Sequence, residues 1–247
     1  MAPPTDRHEI LHRLHSQIVA GIPILESGAG IGLSAKFVES SGGDLIIIYN
    51  SGRFRMAGRV SLAGLMPYGN ANDIMIEIAK EILPVVQHTP VLTGICASYP
   101  YLPSTLPTYL RHLKSLGLCG IQNFPTIGLI DGQFRFHLEQ TGMGQEDGQG
   151  WADIVVAHMG LTTGGSIGAD EAAGERERHA VQGVDPEIIV LCHGGAITAP
   201  EDAGYVLGRT KGVHGFYGAS LIERLSVEKA ITEVTRAFKG LKMGGQT

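Results

Sequence analysis

The segment DLIIIYNSGR at Asp44–Arg53 shows the pattern on which the fold depends: an unbroken apolar run is followed at once by polar residues and glycine. A strand with one solvated face alternates apolar and polar residues. An unbroken apolar run therefore indicates a strand covered on both faces, as in parallel sheets. Six further short runs have this character: Ile22–Leu25, Pro90–Ala97, Leu118–Phe124, Asp153–His158, Ile188–His193 and Val213–Tyr217.

Segments with helical periodicity lie between these runs. The predicted helices cover Arg7–Val19, Asn72–Val86, Thr105–Leu116, a segment near Asp131–Gln140, Pro200–Gly208 and Val227–Leu241. Alternating strands and helices predict a parallel sheet, which either closes into a barrel or stays open and doubly wound. The length of 247 residues without a visible domain break favours one α/β TIM (β/α) barrel domain over 1–247, with the N-terminal helix at 6–20 capping or packing on the barrel.

The number of strands departs from the usual barrel, because the sequence predicts seven strands and not eight. The segment TGMGQEDGQGW at Thr141–Trp151 leads directly into the run at Asp153–His158. Since a barrel needs a closed ring of strands, a missing unit leaves two open edges. We therefore predict a barrel that lacks one βα unit after residue 144.

Composition narrows the class of protein. Hydrophobic residues make up 43% of the chain and charged residues 17%, and the formal net charge is −5. This is typical of a globular domain, and no clustered basic face indicates nucleic acid as a partner. No apolar run approaches the roughly 18 residues of a membrane span. The three cysteines have no metal-ligand spacing, which predicts reduced thiols and a cytoplasmic location.

Polar residues follow nearly every predicted strand, at the end where barrels carry their active sites. Glu26 ends the first apolar run, where a carboxylate is costly unless it has a function or a partner. His158 and His193 end two successive strands, and imidazole there can move protons or bind a metal. We predict these three residues as catalytic. The alternatives are a buried ion pair of Glu26 with an arginine of the 53–59 segment, and core histidines.

The loops after the strands also supply groups for an anionic small-molecule substrate. Backbone N–H groups of glycine-rich turns and nearby hydroxyls can cradle a phosphate or carboxylate. Arg53 or Arg55 could complete such an anion clamp. The predicted substrate-binding residues are Asn50, Ser51, Arg53, Asn123, Thr162, Thr163, Gly194, Gly195, Tyr217, Gly218, Ala219 and Ser220.

The segment SGAGIG at Ser27–Gly32 has two interpretations. It resembles a dinucleotide-binding glycine loop, but the spacing is G-x-G-x-G, and the sequence predicts neither the helix that should follow nor an acidic partner for the ribose. The alternative is a tight turn that packs against neighbouring loops.

Five stretches resemble the phosphoenolpyruvate hydrolase-like TIM-barrel family: Pro23–Phe37, Leu45–Asn72, Gly120–Arg135, His158–Ala169, and Ile189–Ile197 with His214–Ser220. The resemblance implies a barrel related to those that bind phosphoenolpyruvate and pyruvate. It implies a hydrolase or lyase acting on a small phosphorylated or 2-oxo acid, in a homo-oligomer. Related barrels hold Mg²⁺ with carboxylates, which makes Glu26 the candidate ligand, although their acidic cluster is not evident in this chain.

The resemblance leaves a second function open. Family members continue after TGMG with a helix, a strand and a further helix, where this chain has only QEDGQGW. About 30 residues, one βα unit, are therefore missing. The alternative function is a non-catalytic ligand-sensing or protein-interaction domain that retains the pocket.

Overall fold

The computed structural model describes residues 3–99, 105–130, 132–143, 152–158 and 187–242. Their strands form one parallel sheet in the order β4-β3-β2-β1-β7-β6-β5. All seven predicted strands are confirmed, although β1 begins and ends later than predicted. The bounds are β1 Ile24–Gly28, β2 Leu45–Ile48, β3 Val91–Ile95, β4 Gly120–Asn123, β5 Ile154–His158, β6 Ile189–His193 and β7 Gly215–Gly218.

Helices follow most of the strands and cover the outer face of the sheet. They are α1 Arg7–Val19, α2 Gly32–Ser40, α3 Asn50–Met56, α4 Ala71–Ile82, α5 Leu106–Ser115, α6 Gly132–Leu138, α7 Pro200–Arg209 and α8 Ser226–Lys239. The expectation that no helix follows SGAGIG was wrong, because α2 begins at Gly32. Its nine residues are too few to give a clear periodic signal.

The two faces of the sheet form separate apolar cores, as expected for strands covered on both sides. Inside the curled sheet, alternate residues such as Leu45, Ile47, Ile189 and Leu191 pack together. Outside, a second core buries Ile46 and Ile48 against α4 and α5. Since side chains alternate across each strand, the inner face also receives Glu26, His158, His193 and Tyr217.

Helix α1 closes the end of the sheet at which the strands begin. Its N-cap is Asp6, whose carboxylate accepts the Glu9 amide at 3.0 Å. Ile10 and Leu14 are buried against the inner core, and Arg13 donates to the Asp44 carbonyl at 2.7 Å. Helix α1 thus packs on the inner core at this end of the sheet.

The sheet remains open between β4 and β5 in the part of the chain that the structure describes, since these strands end the sheet order. Both are only partly buried, whereas β6 is buried for four of its five residues. This opening lies where the sequence predicts the missing βα unit. The architecture is a TIM-type α/β fold with seven parallel strands in the described residues.

Candidate active site

A cavity of about 1090 Å³ lies inside the curled sheet. Near the ends of the strands its wall carries polar and aromatic groups, and farther down it is apolar. The interior of a closed TIM barrel is filled by layers of side chains. Here the interior is continuous with the opening between β4 and β5, because residues of both strands line it.

Glu26 is the acidic group of this wall near the strand ends. It is 3% exposed, and burial raises the pKa of its carboxyl to about 7. In the described residues, Arg53 pairs with Glu81 and Arg55 pairs with Glu223, so neither neutralises Glu26. The predicted alternative of a buried ion pair with the 53–59 segment is therefore wrong. A buried carboxyl without a cationic partner holds its proton to neutral pH and can exchange it there.

His193 is held in one tautomer by the backbone of the next strand. Its Nδ1 lies 2.7 Å from the carbonyl oxygen of Tyr217. Because a carbonyl only accepts hydrogen bonds, Nδ1 carries the proton and Nε2 has the free lone pair. Burial, assisted by the adjacent His158, lowers the pKa of His193 to about 3. The ring is therefore neutral at physiological pH and presents Nε2 as a hydrogen-bond acceptor.

The rings of His158 and His193 lie edge to face, with centroids 5.0 Å apart. The two residues are register partners in the parallel pair β5–β6, which explains how positions distant in sequence come together. Burial lowers the pKa of His158 as well. Tyr217 packs on the other side of His193, with ring centroids 4.5 Å apart.

Arg55 and Glu223 form a fully buried ion pair that joins the loops after β2 and β7. Arg55 Nε donates to Glu223 Oε2 at 2.7 Å, and their side chains are 1% and 0% exposed. Arg55 Nη2 also donates to the Tyr49 hydroxyl at 3.2 Å. The Tyr49 hydroxyl also forms a side-chain hydrogen bond with Tyr217.

The structure brings most of the predicted site residues into the cavity wall. These are Glu26, Ser51, Asn123, His158, His193, Gly194, Gly195, Tyr217, Ala219 and Ser220. Asn50, Arg53 and Gly218 are not part of this wall. Asn50 donates to the Gly64 carbonyl at 2.8 Å, and Arg53 pairs with Glu81 on the exposed surface. Thr162 and Thr163 lie outside the described residues.

Several residues of the wall were not among the predicted site residues. Tyr49, Phe124 and Arg224 line the cavity, and so does Arg55, which the sequence offered only as an alternative to Arg53. The phenol ring of Tyr49 packs edge to face on Phe124, with centroids 4.8 Å apart. Tyr49 directly follows the apolar run of β2, so its position at a strand end was the available signal. For Arg224, on the helical turn Leu221–Leu225, the local sequence gives no such signal.

The SGAGIG segment is a tight turn rather than a phosphate loop. Gly32 N–H, at the start of α2, donates to the Glu81 carboxylate at 2.7 Å, so a carboxylate of the chain itself occupies this helix N-terminus. Gly30 lies so close to the Gly52 carbonyl that a Cβ would overlap it. Packing of this turn against the loop after β2 explains its glycines without a nucleotide.

The fold and the cavity wall together define a class: a TIM-type protein with a buried carboxyl and two histidines lining the interior of its sheet. The family follows from comparison with known proteins. A family model described as phosphoenolpyruvate hydrolase-like matches residues 9–148 and 147–241, and the chain belongs to this family.

Two curated tomato (Solanum lycopersicum) proteins are close relatives. The ToMV susceptible protein tm-1(GCR26) is 49% identical over 270 residues and 95% of this chain. The ToMV resistance protein Tm-1(GCR237) is 49% identical over 273 residues and 96% of this chain. The chain spans 36% of the length of each tomato protein.

Solved structures support the fold. Oxaloacetate acetylhydrolase matches with a TM-score of 0.55 and 13% identity, covering 95% of this chain and 89% of its own. Phosphonopyruvate hydrolase in complex with oxalate and Mg²⁺ matches with a TM-score of 0.50 and 13% identity, covering 93% and 87%. No helix among the described residues is long and apolar enough to cross a membrane.

The comparison with tomato tm-1(GCR26) also shows that this chain is shorter than its relative over the matched region. The match extends over 270 residues, whereas 95% of the 247 residues is about 235, so the relative has about 35 additional positions. The two family matches meet at residues 147–148, between β4 and β5 in sequence. The additional positions of the relative are about as many as one βα unit contains.

The described residues do not fit the magnesium ion that the resemblance implies. Mg²⁺ takes hard oxygen ligands, commonly from one or two carboxylates together with the substrate and water. No group of three or more His, Cys, Asp or Glu that could hold a metal occurs in the described ranges. Of the residues that the structure describes, Glu26 is the only carboxylate of the cavity wall near the strand ends, and Asp153 pairs with Arg7 at the opposite end.

Proposed function

We propose that the chain binds a small organic acid of the 2-oxo or phosphorylated type above Glu26 and His193, and acts on it as a hydrolase or lyase. The observation that carries the proposal is a buried carboxyl with a pKa near 7 in one cavity wall with a neutral imidazole. Membership of the phosphoenolpyruvate hydrolase-like family supports the substrate class.

The two groups have different roles in this proposal. Glu26 exchanges a proton with the substrate, because its pKa lies close to physiological pH. His193 accepts a hydrogen bond at Nε2 and so orients a hydroxyl or a nucleophilic water. It does not serve as an acid, since its pKa of about 3 leaves the ring unprotonated.

Donors for the acid group lie beside these residues. Arg224 lines the cavity, and its Nε is buried without a hydrogen-bond partner in the described residues. The Ser220 hydroxyl and the backbone of Gly194 and Gly195 lie in the same wall. A carboxylate or phosphate would supply the acceptor that Arg224 Nε lacks.

Ligand binding tests this function directly. Oxalate, pyruvate, phosphonopyruvate and phosphoenolpyruvate are added separately, and the thermal unfolding midpoint is followed. A ligand that binds the folded state raises the midpoint by mass action. We expect a rise with at least one acid, loss of that rise in Arg224→Gln, and retention in the exposed control Arg53→Gln. No rise with any of the four acids would contradict the proposal.

A non-catalytic sensing domain is the second candidate. It is favoured by the open sheet and by the lack of a metal cluster in the described residues. Release of pyruvate or phosphate from a bound acid distinguishes the two functions. Binding without turnover supports the sensor, whereas turnover that Glu26→Gln abolishes supports the enzyme.

We further propose that the chain self-associates and works in the cytoplasm. Helix α8 supports self-association, because Ile231, Val234 and Phe238 on its apolar face are 62%, 56% and 70% exposed. A second copy would bury this face. The three free cysteines suit a reducing compartment. Light scattering of the wild type and of Phe238→Glu tests self-association, with a smaller mass expected for the variant.

A further inference from the structure

We propose that the opening between β4 and β5 is a docking site for a β-strand from another polypeptide. The strand would run parallel to both edges and begin a βα unit. The opening belongs to the same cavity as the proposed acid site, but the inference does not depend on the function proposed for that site.

The first argument is that, among the described residues, no strand pairs with the outer edge of β5. The Ile189 amide donates to the Asp153 carbonyl at 3.0 Å. In a parallel ladder, successive residues face opposite neighbours. The backbone groups of Ile154 and Val156 therefore face the opening. Exposed edges of this kind pair readily with a further strand.

The side chains around the opening also suit a strand. Its wall is largely apolar and includes Leu92, Ile154 and Val156, so alternate apolar side chains of a strand could enter the interior. Gln122 on β4 lines the same space, and its Oε1 is buried without a partner in the described residues. An apolar small molecule would fill the space but leave the edge amides unpaired. A strand fills the apolar space with side chains and also pairs with the edge amides.

The size of the deficit gives the third argument. The tomato relative has about 35 positions more than this chain over the matched region, and the family matches meet at 147–148. A strand, a helix and their loops need about 30 residues. The occupant that the opening fits is therefore a complete βα unit and not a short isolated peptide.

A peptide supplied in trans tests this proposal. The segment of tomato tm-1(GCR26) that lies opposite the gap is synthesised with a fluorescent label and titrated with the purified chain. We expect saturable binding by anisotropy. We also expect slower hydrogen exchange of the β5 amides at residues 154 and 156, which face the opening. A scrambled peptide of the same composition is the control.

Two substitutions of Val156 distinguish binding through backbone hydrogen bonds from binding through apolar contacts. Val156→Pro removes an amide that faces the opening without removing a ladder bond to β6, and proline is tolerated at such edge positions. We expect it to weaken binding at least about tenfold, as loss of a buried hydrogen bond can do, whereas Val156→Ala weakens binding less. If Val156→Pro does not fold, a peptide N-methylated at alternate residues tests the same point. It lacks the amide donors that would pair with β5, so we expect it not to bind.

Three results would overturn the proposal. Absence of saturable binding is the first. The second is equal binding of the scrambled peptide, which would show that the opening accepts apolar molecules in general. The third is slow exchange of the edge amides in the free chain, which would show that another part of the same chain already covers them.

Discussion

His193 Nδ1 donates a hydrogen bond to the Tyr217 carbonyl across 2.7 Å, and this bond sets which ring nitrogen faces the cavity. An asparagine amide can replace Nδ1 as a donor, whereas a glutamine amide reaches farther, toward the position of Nε2. We therefore expect His193→Asn to keep the wild-type stability within about 1 kcal/mol, the usual net value of one hydrogen bond. It should still bind the acid but lose turnover, because Nε2, which orients the hydroxyl or the water, is absent.

Urea unfolding, the thermal shift with oxalate or pyruvate, and the release of pyruvate or phosphate from a bound acid check this expectation. Nitrogen NMR of the wild-type ring supplies an independent measurement, with the proton expected on Nδ1 from pH 5 to pH 8. A proton on Nε2, or wild-type turnover by His193→Asn, would contradict the assigned role.

Glu26 makes the stability of the protein depend on pH. Its pKa rises from 4.5 to about 7 on folding. Between these values the unfolded chain loses the proton while the folded chain keeps it, so the free energy of unfolding falls as the pH rises. Over that span the loss is roughly 3 kcal/mol, because one pKa unit corresponds to about 1.4 kcal/mol.

Glu26→Gln removes this titration, since the amide has no proton to lose. The variant should match the wild type near pH 4.5 and exceed its stability by up to roughly 3 kcal/mol at pH 8. Urea unfolding at a series of pH values measures the difference. A difference that stays constant with pH would show that the Glu26 carboxyl has the same pKa in the folded and unfolded chain.

Loss of Arg55, which pairs with Glu223, should destabilise the fold much more than loss of the nearby Arg53. Burial raises the pKa of Glu223, and Arg55 opposes this shift. Arg55→Met leaves the Glu223 carboxyl buried without a counter-charge, which should cost about 3–5 kcal/mol. Arg53→Met breaks a pair whose side chains are 37% and 44% exposed, so we expect a loss of at most about 1 kcal/mol.

Chemical denaturation of both variants checks the comparison. Adding Glu223→Gln to Arg55→Met should restore part of the lost stability, because it removes the uncompensated charge. No recovery in the double variant would indicate that Arg55 stabilises the fold through its contact with Tyr49 and not through charge.

The contrast between these arginines shows what the sequence could predict. Unbroken apolar runs such as Leu45–Ile48 are local signals, and they predicted all seven strands and the edge left by the missing unit. Arg55 and Glu223 are 168 positions apart. Their pairing depends on the closeness of β1, β2 and β7 in the sheet, which no local pattern contains. The sequence therefore predicted an arginine near the site but not its partner.

The turn at Gly30 also depends on a contact between loops that no local sequence pattern contains. A Cβ at Gly30 would overlap the Gly52 carbonyl, which is backbone and cannot move aside as a flexible side chain would. We expect Gly30→Ala to destabilise the fold by about 1–3 kcal/mol, as overpacking does. It should also weaken acid binding, because α3 carries Ser51 and Arg55 from the same loop.

Gly204 in α7 is the matched control, since a Cβ there meets no heavy atom within 4 Å. Gly204→Ala should stabilise the protein by about 0.5–1 kcal/mol, because alanine favours a helix interior more than glycine does. Thermal and urea unfolding of the two variants measure the contrast. If Gly30→Ala were as stable as wild type, the two loops would have to be able to separate, and close packing would no longer explain the glycines of SGAGIG.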